Sequence, residues 1–161
     1  MDRRSLIKNA GIAGVLAAGV APAVHAQAAV RWRLASSFPK SLDTIYGGAE
    51  VFAKAVKDMS GGKFEISVHA GGELMPPFGV VDGVQNGTVE MAHTVPYYLY
   101  GKTPAFALGS AVPFGLNARQ MTACMMHGNG RKLRNEFYSG YGMVSFAGGN
   151  TGTQMGGWFR K

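Results

Sequence analysis

The spacing of apolar residues between Val30 and Thr94 limits this chain to very few folds. Val30-Arg31-Trp32-Arg33-Leu34-Ala35-Ser36 alternates apolar and polar with a period of two, the pattern of a strand with one buried face. Ser37-Phe38-Pro39 ends it. The period then changes to that of a helix running to Met59, with Ile45, Ala49, Phe52, Ala53, Val56 and Met59 along one side and Ser41 or Asp43 as its cap. Gly47-Gly48 inside this helix costs about 1 kcal/mol per glycine against alanine, which predicts that they permit close packing. Ser60-Gly61-Gly62 stops it. Lys63 to His69 alternates again, Pro76-Pro77 opens a second helix carrying Phe78, Val81 and Val84 as far as Asn86-Gly87, and Val89 to Thr94 reads as a third strand. Strand, helix, strand, helix, strand predicts an α/β fold, a parallel sheet with helices on its faces.

Beyond this unit, Phe106 to Phe114 is apolar, interrupted by Pro113, and reads as a short bent strand. Asn117 to Met126 and Arg131 to Tyr138 read as two helices split by Gly128-Asn129-Gly130. Met143 to Ala147 reads as a buried strand, and Thr153 to Phe159 as a further one. Between them, Gly148-Gly149-Asn150-Thr151-Gly152 continues into Thr153-Gln154-Met155-Gly156-Gly157. On pattern alone this is a glycine-rich turn between strands. Its chemistry also suits ligand binding, because glycines let backbone amides approach closely and Asn150, Thr151, Thr153 and Gln154 both donate and accept hydrogen bonds.

The first residues read as an address. Arg3-Arg4-Ser5-Leu6-Ile7-Lys8 is a twin-arginine pattern, an Ala/Gly/Val-rich segment runs from Ala10 to Ala21, and Val24-His25-Ala26 supplies small residues for signal peptidase. The apolar segment is short of the ~20 residues that a bilayer span needs. Residues 1–26 are thus expected to be a removable export signal cleaved near Ala26, and the protein is expected in a periplasm. Removing them lowers the net charge from +7 to +5, because Arg3, Arg4 and Lys8 leave with Asp2. The remaining cations are dispersed, and the densest group, Arg131-Lys132-x-Arg134, fits one solvated helix face, so no nucleic-acid partner is expected.

Catalytic patterns are absent. The eight acids after residue 26 fall mostly on polar faces, and none pairs with another to flank a substrate. There is no G-x-S-x-G elbow, P-loop or G-x-G-x-x-G after a strand. Cys124-x-x-His127 offers two of the four ligands a closed zinc site needs, and Cys124 reads instead as a buried thiol. His69 and His93 read as core or strand-end residues. Pro96-Tyr97-Tyr98-Leu99-Tyr100 directly follows the third strand, where ligands of open α/β sheets bind, and its aromatics suit either a ligand wall or filler under a loop.

Several blocks in order carry a family resemblance. Trp32 to Ile45, Gly47-Gly48-Ala49-Glu50, Gly71-Gly72-Glu73-Leu74, Gly87-Thr88-Val89-Glu90, His93-Thr94-Val95-x-Tyr97-Tyr98, Ala111-Val112-Pro113-Phe114 and Gly148 to Arg160 resemble solute receptors of TRAP (tripartite ATP-independent periplasmic) transporters. The closest branch is the one that binds 2-oxo monocarboxylates such as pyruvate together with sodium. Pro96 and Leu99 depart from that branch's tyrosine-rich block.

The resemblance implies a periplasmic-binding-protein-like receptor of two α/β domains that closes about a hinge. It implies delivery of a small carboxylate to membrane subunits without catalysis, a homodimer in the complete receptor, and no tightly bound cofactor beyond a sodium ion. Tyr98 matches the position whose hydroxyl contacts the acid, Gln154 the position serving both acid and sodium, and Asn150 and Phe38 lie near the cleft. Such receptors are roughly twice this length, as two domains require. Residues 27–161 are therefore expected to be an incomplete first domain with part of the crossover, and the arginine that pairs with the carboxylate is expected beyond Lys161. The expectation for the chain alone is weak solute binding or none, with an exported enzyme of small organic acids as the alternative.

Overall fold

The computed structural model describes residues 29–110, 112–152 and Arg160. The expected export signal, the strand expected over 153–159 and Gln154 lie outside the described residues. Three strands, β1 (Val30–Ser36), β2 (Phe64–His69) and β3 (Met91–His93), form one sheet in the order β2-β1-β3. Both pairings are parallel, with Leu34 opposite Val68 on one side and Met91 on the other. Parallel neighbours need crossovers, and the helices α1 (Asp43–Met59) and α2 (Val80–Gln85) supply them. A single 3₁₀ turn, Pro77–Gly79, leads into α2, as the paired prolines predict. Two more 3₁₀ segments follow, Pro96–Leu99 and Pro104–Gly109, and then α3 (Ala118–His127) and α4 (Gly130–Ser139).

The core lies on both faces of the sheet. On one, Leu34 and Ile66 pack against Ala49 and Ala53 of α1. On the other, Ala35 packs in a cluster with Val80, Val81, Val89, Leu99, Phe106 and Tyr138. The period-two reading of β1 therefore needs correction. Leu34, Ala35 and Ser36 are all buried, although consecutive side chains point to opposite faces, while Val30 to Arg33 are exposed. A central strand covered by helices on both sides loses its alternation.

Helix α1 has the expected length and two unexpected features. Its N-cap is Leu42, which offers no side-chain cap; the Asp43 carboxylate accepts instead from the Thr44 N–H at 2.7 Å. Its buried residues are Tyr46, Ala49 and Ala53, whereas Phe52 and Met59 face solvent. Gly47 and Gly48 do not mark a close contact, since a Cβ on either would meet nothing within 4 Å. Gly61 and Gly62, at φ 58° and 78°, end the helix, with the Gly62 N–H returning to Lys57 O at 2.9 Å. Asn117 and Gln120 form a reciprocal capping box on α3, each side chain taking the other's backbone N–H at 3.0 Å.

Two expected strands do not form. Pro104–Gly109 is a 3₁₀ segment, and beyond it Phe114 is fully exposed at φ 58°. Prolines at 104 and 113 break the pattern of N–H donors that a ladder needs. Met143 to Ala147 is irregular, with Val144 and Phe146 exposed. Side chains of α4 take its polar backbone instead: the Ser145 N–H donates to Asn135 Oδ1 at 2.8 Å and its carbonyl accepts from Arg134 Nη2 at 3.3 Å. Among the described residues no helix is long and apolar enough to cross a membrane.

Candidate functional site

The carboxyl ends of β1 and β3 lie side by side, so the residues that leave them meet. β1 runs out through Ser36-Ser37-Phe38 and β3 through His93-Thr94 toward Tyr98. The Ser37 N–H continues the ladder to His93 O at 2.8 Å. The Ser37 hydroxyl bonds at 2.6 Å to Pro77 O and at 2.7 Å to Thr94 Oγ1, which ties the loop ahead of α2 to both strand ends. Behind Ser37 stands Gly71, whose added Cβ would lie 2.8 Å from the Ser37 carbonyl oxygen; only glycine allows that approach. The Gly71 N–H donates to Phe38 O at 2.9 Å.

Five rings gather on this platform. Phe38 is buried and meets the His93 ring edge-to-face at 5.1 Å between centroids. Tyr98 lies 6.3 Å from Phe38 and 4.9 Å from Phe78, the latter at 87°. Tyr97 stacks edge-on against Tyr98 at 4.9 Å. Burial pushes the Tyr98 phenol above its ordinary pKa, with Tyr97 adding to the effect. A phenol is protonated near neutral pH in any case, so Tyr98 carries an O–H beside the Phe38 ring. Burial holds the His93 imidazole below its ordinary value, so it is neutral there. A neutral hydroxyl donor beside the buried Phe38 ring suits the carboxylate of a small acid better than it suits a cation.

Of the residues picked out by sequence, Phe38 and Tyr98 come together. Asn150 is exposed, and its carboxamide oxygen accepts from the Gly152 N–H at 2.7 Å, closing a local turn with Gly152 at φ 74°. Gln154, the residue expected to touch both acid and sodium, lies outside the described residues. Sequence reasoning passed over Ser36, His93 and Phe78. The available signal was positional: each adjoins the carboxyl end of a strand or the turn opposite it. Among the described residues no three His, Cys, Asp or Glu side chains converge as metal ligands.

A hollow of about 360 Å³ lies away from this platform, toward the amino-terminal end of the strands, between Arg31, Trp32, Lys54, Lys57 and Glu65. Each of its three cations already has a carboxylate partner, with Glu65 shared by two of them. Glu65 pairs with Lys57 at 2.8 Å and with Arg31 at 3.4 Å, and Lys54 pairs with Asp58. Ligands of parallel α/β sheets bind past the carboxyl ends of strands, where backbone and loop donors converge, so the aromatic platform is the better candidate.

Comparison with known proteins shows the family to which the chain is similar. Residues 35–161 match the family Bacterial extracellular solute-binding protein, family 7. A monocarboxylate 2-oxoacid-binding periplasmic protein of Nostoc sp. strain PCC 7120 is 49% identical over 132 residues, which are 82% of this chain and 36% of that protein. A TRAP transporter solute-binding protein from Bordetella bronchiseptica, crystallised as a dimer with copurified calcium and picolinate in one site, superposes with a TM-score of 0.78 at 47% identity. It is covered over 39% of its length by 82% of this chain. A TRAP periplasmic solute-binding protein from Pseudoalteromonas atlantica with bound sodium and pyruvate gives the same TM-score at 39% identity, the shared part being 82% of this chain and 40% of that one. The chain thus spans well under half the length of the relatives it matches. With the parallel sheet, the flanking helices and the match over most of its length, the chain belongs to the family 7 extracellular solute-binding proteins, the solute receptors of TRAP transporters.

Proposed function

We propose that residues 27–161 form part of an exported, periplasmic receptor that captures a small carboxylate, a 2-oxo acid such as pyruvate, for the membrane subunits of a TRAP transporter. The observation that carries this reading is the Phe38–Tyr98 pair at the carboxyl edge of the parallel sheet, a protonated phenol over a buried apolar wall. The Tyr98 hydroxyl donates to the acid, the buried Phe38 ring backs its short carbon chain, and Phe78 stands at the exposed rim against Tyr98. The relatives that hold pyruvate or picolinate support a planar 2-oxo or heteroaromatic acid as the substrate class.

Gln154 is proposed to complete the acid contact and to offer its amide oxygen to sodium, a hard cation suited to neutral oxygen donors. Asn150 is proposed to lie at the cleft rim. Export by the twin-arginine route with cleavage near Ala26, and a homodimer in the whole receptor, belong to the same reading.

The test is NMR titration of the chain with pyruvate, with and without sodium. The expected result is weak binding, with Kd near 1 mM or above, equivalent to about 4 kcal/mol or less. Resonance changes should centre on Phe38, Phe78 and Tyr98 and be lost in Tyr98→Phe. Changes confined to Arg31, Lys54 and Lys57 would move the site to the other end of the sheet.

A further inference from the structure

We propose that His93 is a positioning residue of the carboxylate site, acting on the Phe38 wall through the hydroxyl of Ser36. The proposal rests on the reading of Phe38 and Tyr98 as ligand wall and donor, and adds a residue on which that wall depends. The geometry is a two-step relay. Ser36 Oγ lies 3.1 Å from His93 Nδ1, and the same oxygen accepts the Phe38 N–H at 3.1 Å. A hydroxyl that accepts from an amide keeps its own hydrogen to donate. Donation to Nδ1 leaves the imidazole proton on Nε2, which fixes both the tautomer and the ring.

The ring then packs edge-to-face on Phe38 at 5.1 Å, so His93 holds that residue twice, by its backbone through Ser36 and by its side chain directly. Ser36 is 1% exposed, so water is a poor substitute for either partner. His93 itself is fixed by strand pairing, its backbone carbonyl taking the Ser37 N–H at 2.8 Å and its Cα lying in register with Ser36. The relay therefore links β3, which leads to Tyr98, with the turn that carries Phe38. It sets the spacing between the two residues that a planar acid would contact. A buried serine and histidine in this order do not form a nucleophile and base, because the Ser36 oxygen is closed off from any substrate.

The experiment uses the 161-residue chain and three variants, Ser36→Ala, His93→Phe and His93→Asn. Imidazole nitrogen spectra and amide hydrogen exchange are read on each, before and after pyruvate is added. In the parent chain, His93 should be neutral with its proton on Nε2. Exchange at the Phe38 N–H should quicken about five-fold in Ser36→Ala and His93→Phe, the fold-change of about 1 kcal/mol for one net hydrogen bond. His93→Asn keeps a polar atom near the Nδ1 position and should restore protection, whereas Leu34, in the middle of the sheet, should exchange at one rate in all four proteins. A proton on Nδ1, or unchanged Phe38 exchange in both disrupted variants, overturns the proposal. If Leu34 loses protection in His93→Phe, that variant has loosened the sheet, and Ser36→Ala, which deletes a single oxygen, decides alone. Pyruvate separates the two readings: if it perturbs neither Phe38 nor Tyr98 in the parent chain, the ligand assignment fails and the exchange data alone judge the relay. If it binds the parent chain and His93→Phe equally, the positioning role is overturned.

Discussion

Replacing Gly71 by alanine would insert one methyl group into the most tightly built part of the site. That Cβ would stand 2.8 Å from the Ser37 carbonyl oxygen and 3.0 Å from its carbon, both backbone atoms. Ser37 has little room to yield. Its N–H is bonded to His93 O, its hydroxyl to Pro77 O and Thr94 Oγ1, and it is 7% exposed. The Gly71 loop must retreat instead and strain its own 2.9 Å bond to Phe38 O.

Overpacking against a fixed neighbour costs about 1–3 kcal/mol. Alanine also restricts the unfolded chain, which returns roughly 0.4–1 kcal/mol where the backbone conformation suits it. The net expectation is a loss of about 1–2 kcal/mol. With a urea m-value of about 2 kcal/mol/M, the unfolding midpoint should fall by roughly 0.5–1 M at unchanged slope. The matched assay is urea unfolding followed by tryptophan fluorescence, together with Phe38 and Tyr98 resonances, which should shift in the folded variant. A midpoint equal to or above that of the parent chain, with those resonances unmoved, would refute the close-approach argument.

The opposite sign is expected in α1. Gly47→Ala/Gly48→Ala meets no atom within 4 Å and should raise stability by about 1–2 kcal/mol, seen as a higher urea midpoint. At the cap of α3, Asn117→Ala removes the acceptor for the Gln120 N–H and should cost about 1 kcal/mol of local stability, with faster amide exchange through the first turn.

Acid should act through Glu90. Its carboxylate accepts from the Arg33 side chain and from the Arg33 N–H at 2.7 Å, which lowers its pKa from 4.5 to about 2. Because the folded value is the lower one, this contribution is fully present above pH 4.5 and is lost as the pH falls toward 2. Glu90→Gln should therefore flatten the stability profile between those values, and an unchanged profile would assign the acid loss to other groups.

Much of the fold was legible because two backbone periods are written directly into the order of apolar residues. The lengths of α1 and β2, the proline-led start of α2, the glycine stop after Met59 and the start of α3 near Asn117 all depend on neighbours within a few residues, so local sequence fixes them. The errors were of another kind. Met143 to Ala147 has the composition of a strand, but a strand exists only where a partner offers a ladder, and at Ser145 the side chains of Asn135 and Arg134 supply the bonds instead. Phe52 and Met59 have the right spacing for the buried stripe of α1, yet the stripe is carried by Tyr46, Ala49 and Ala53, and the two larger side chains stay exposed.

The site divides in the same way. Sequence alone determined that aromatics follow the third strand, that a twin-arginine pattern precedes an apolar segment, and which family blocks the chain carries. Tertiary structure alone decided that Phe38 would stand beside Tyr98, that Phe78 would join them, and that Ser36 and His93, 57 residues apart, would share one hydrogen bond. The physical reason is that parallel pairing places the carboxyl ends of distant strands together. The contents of that meeting point depend on register, and register is set by the whole sheet and its two helical layers.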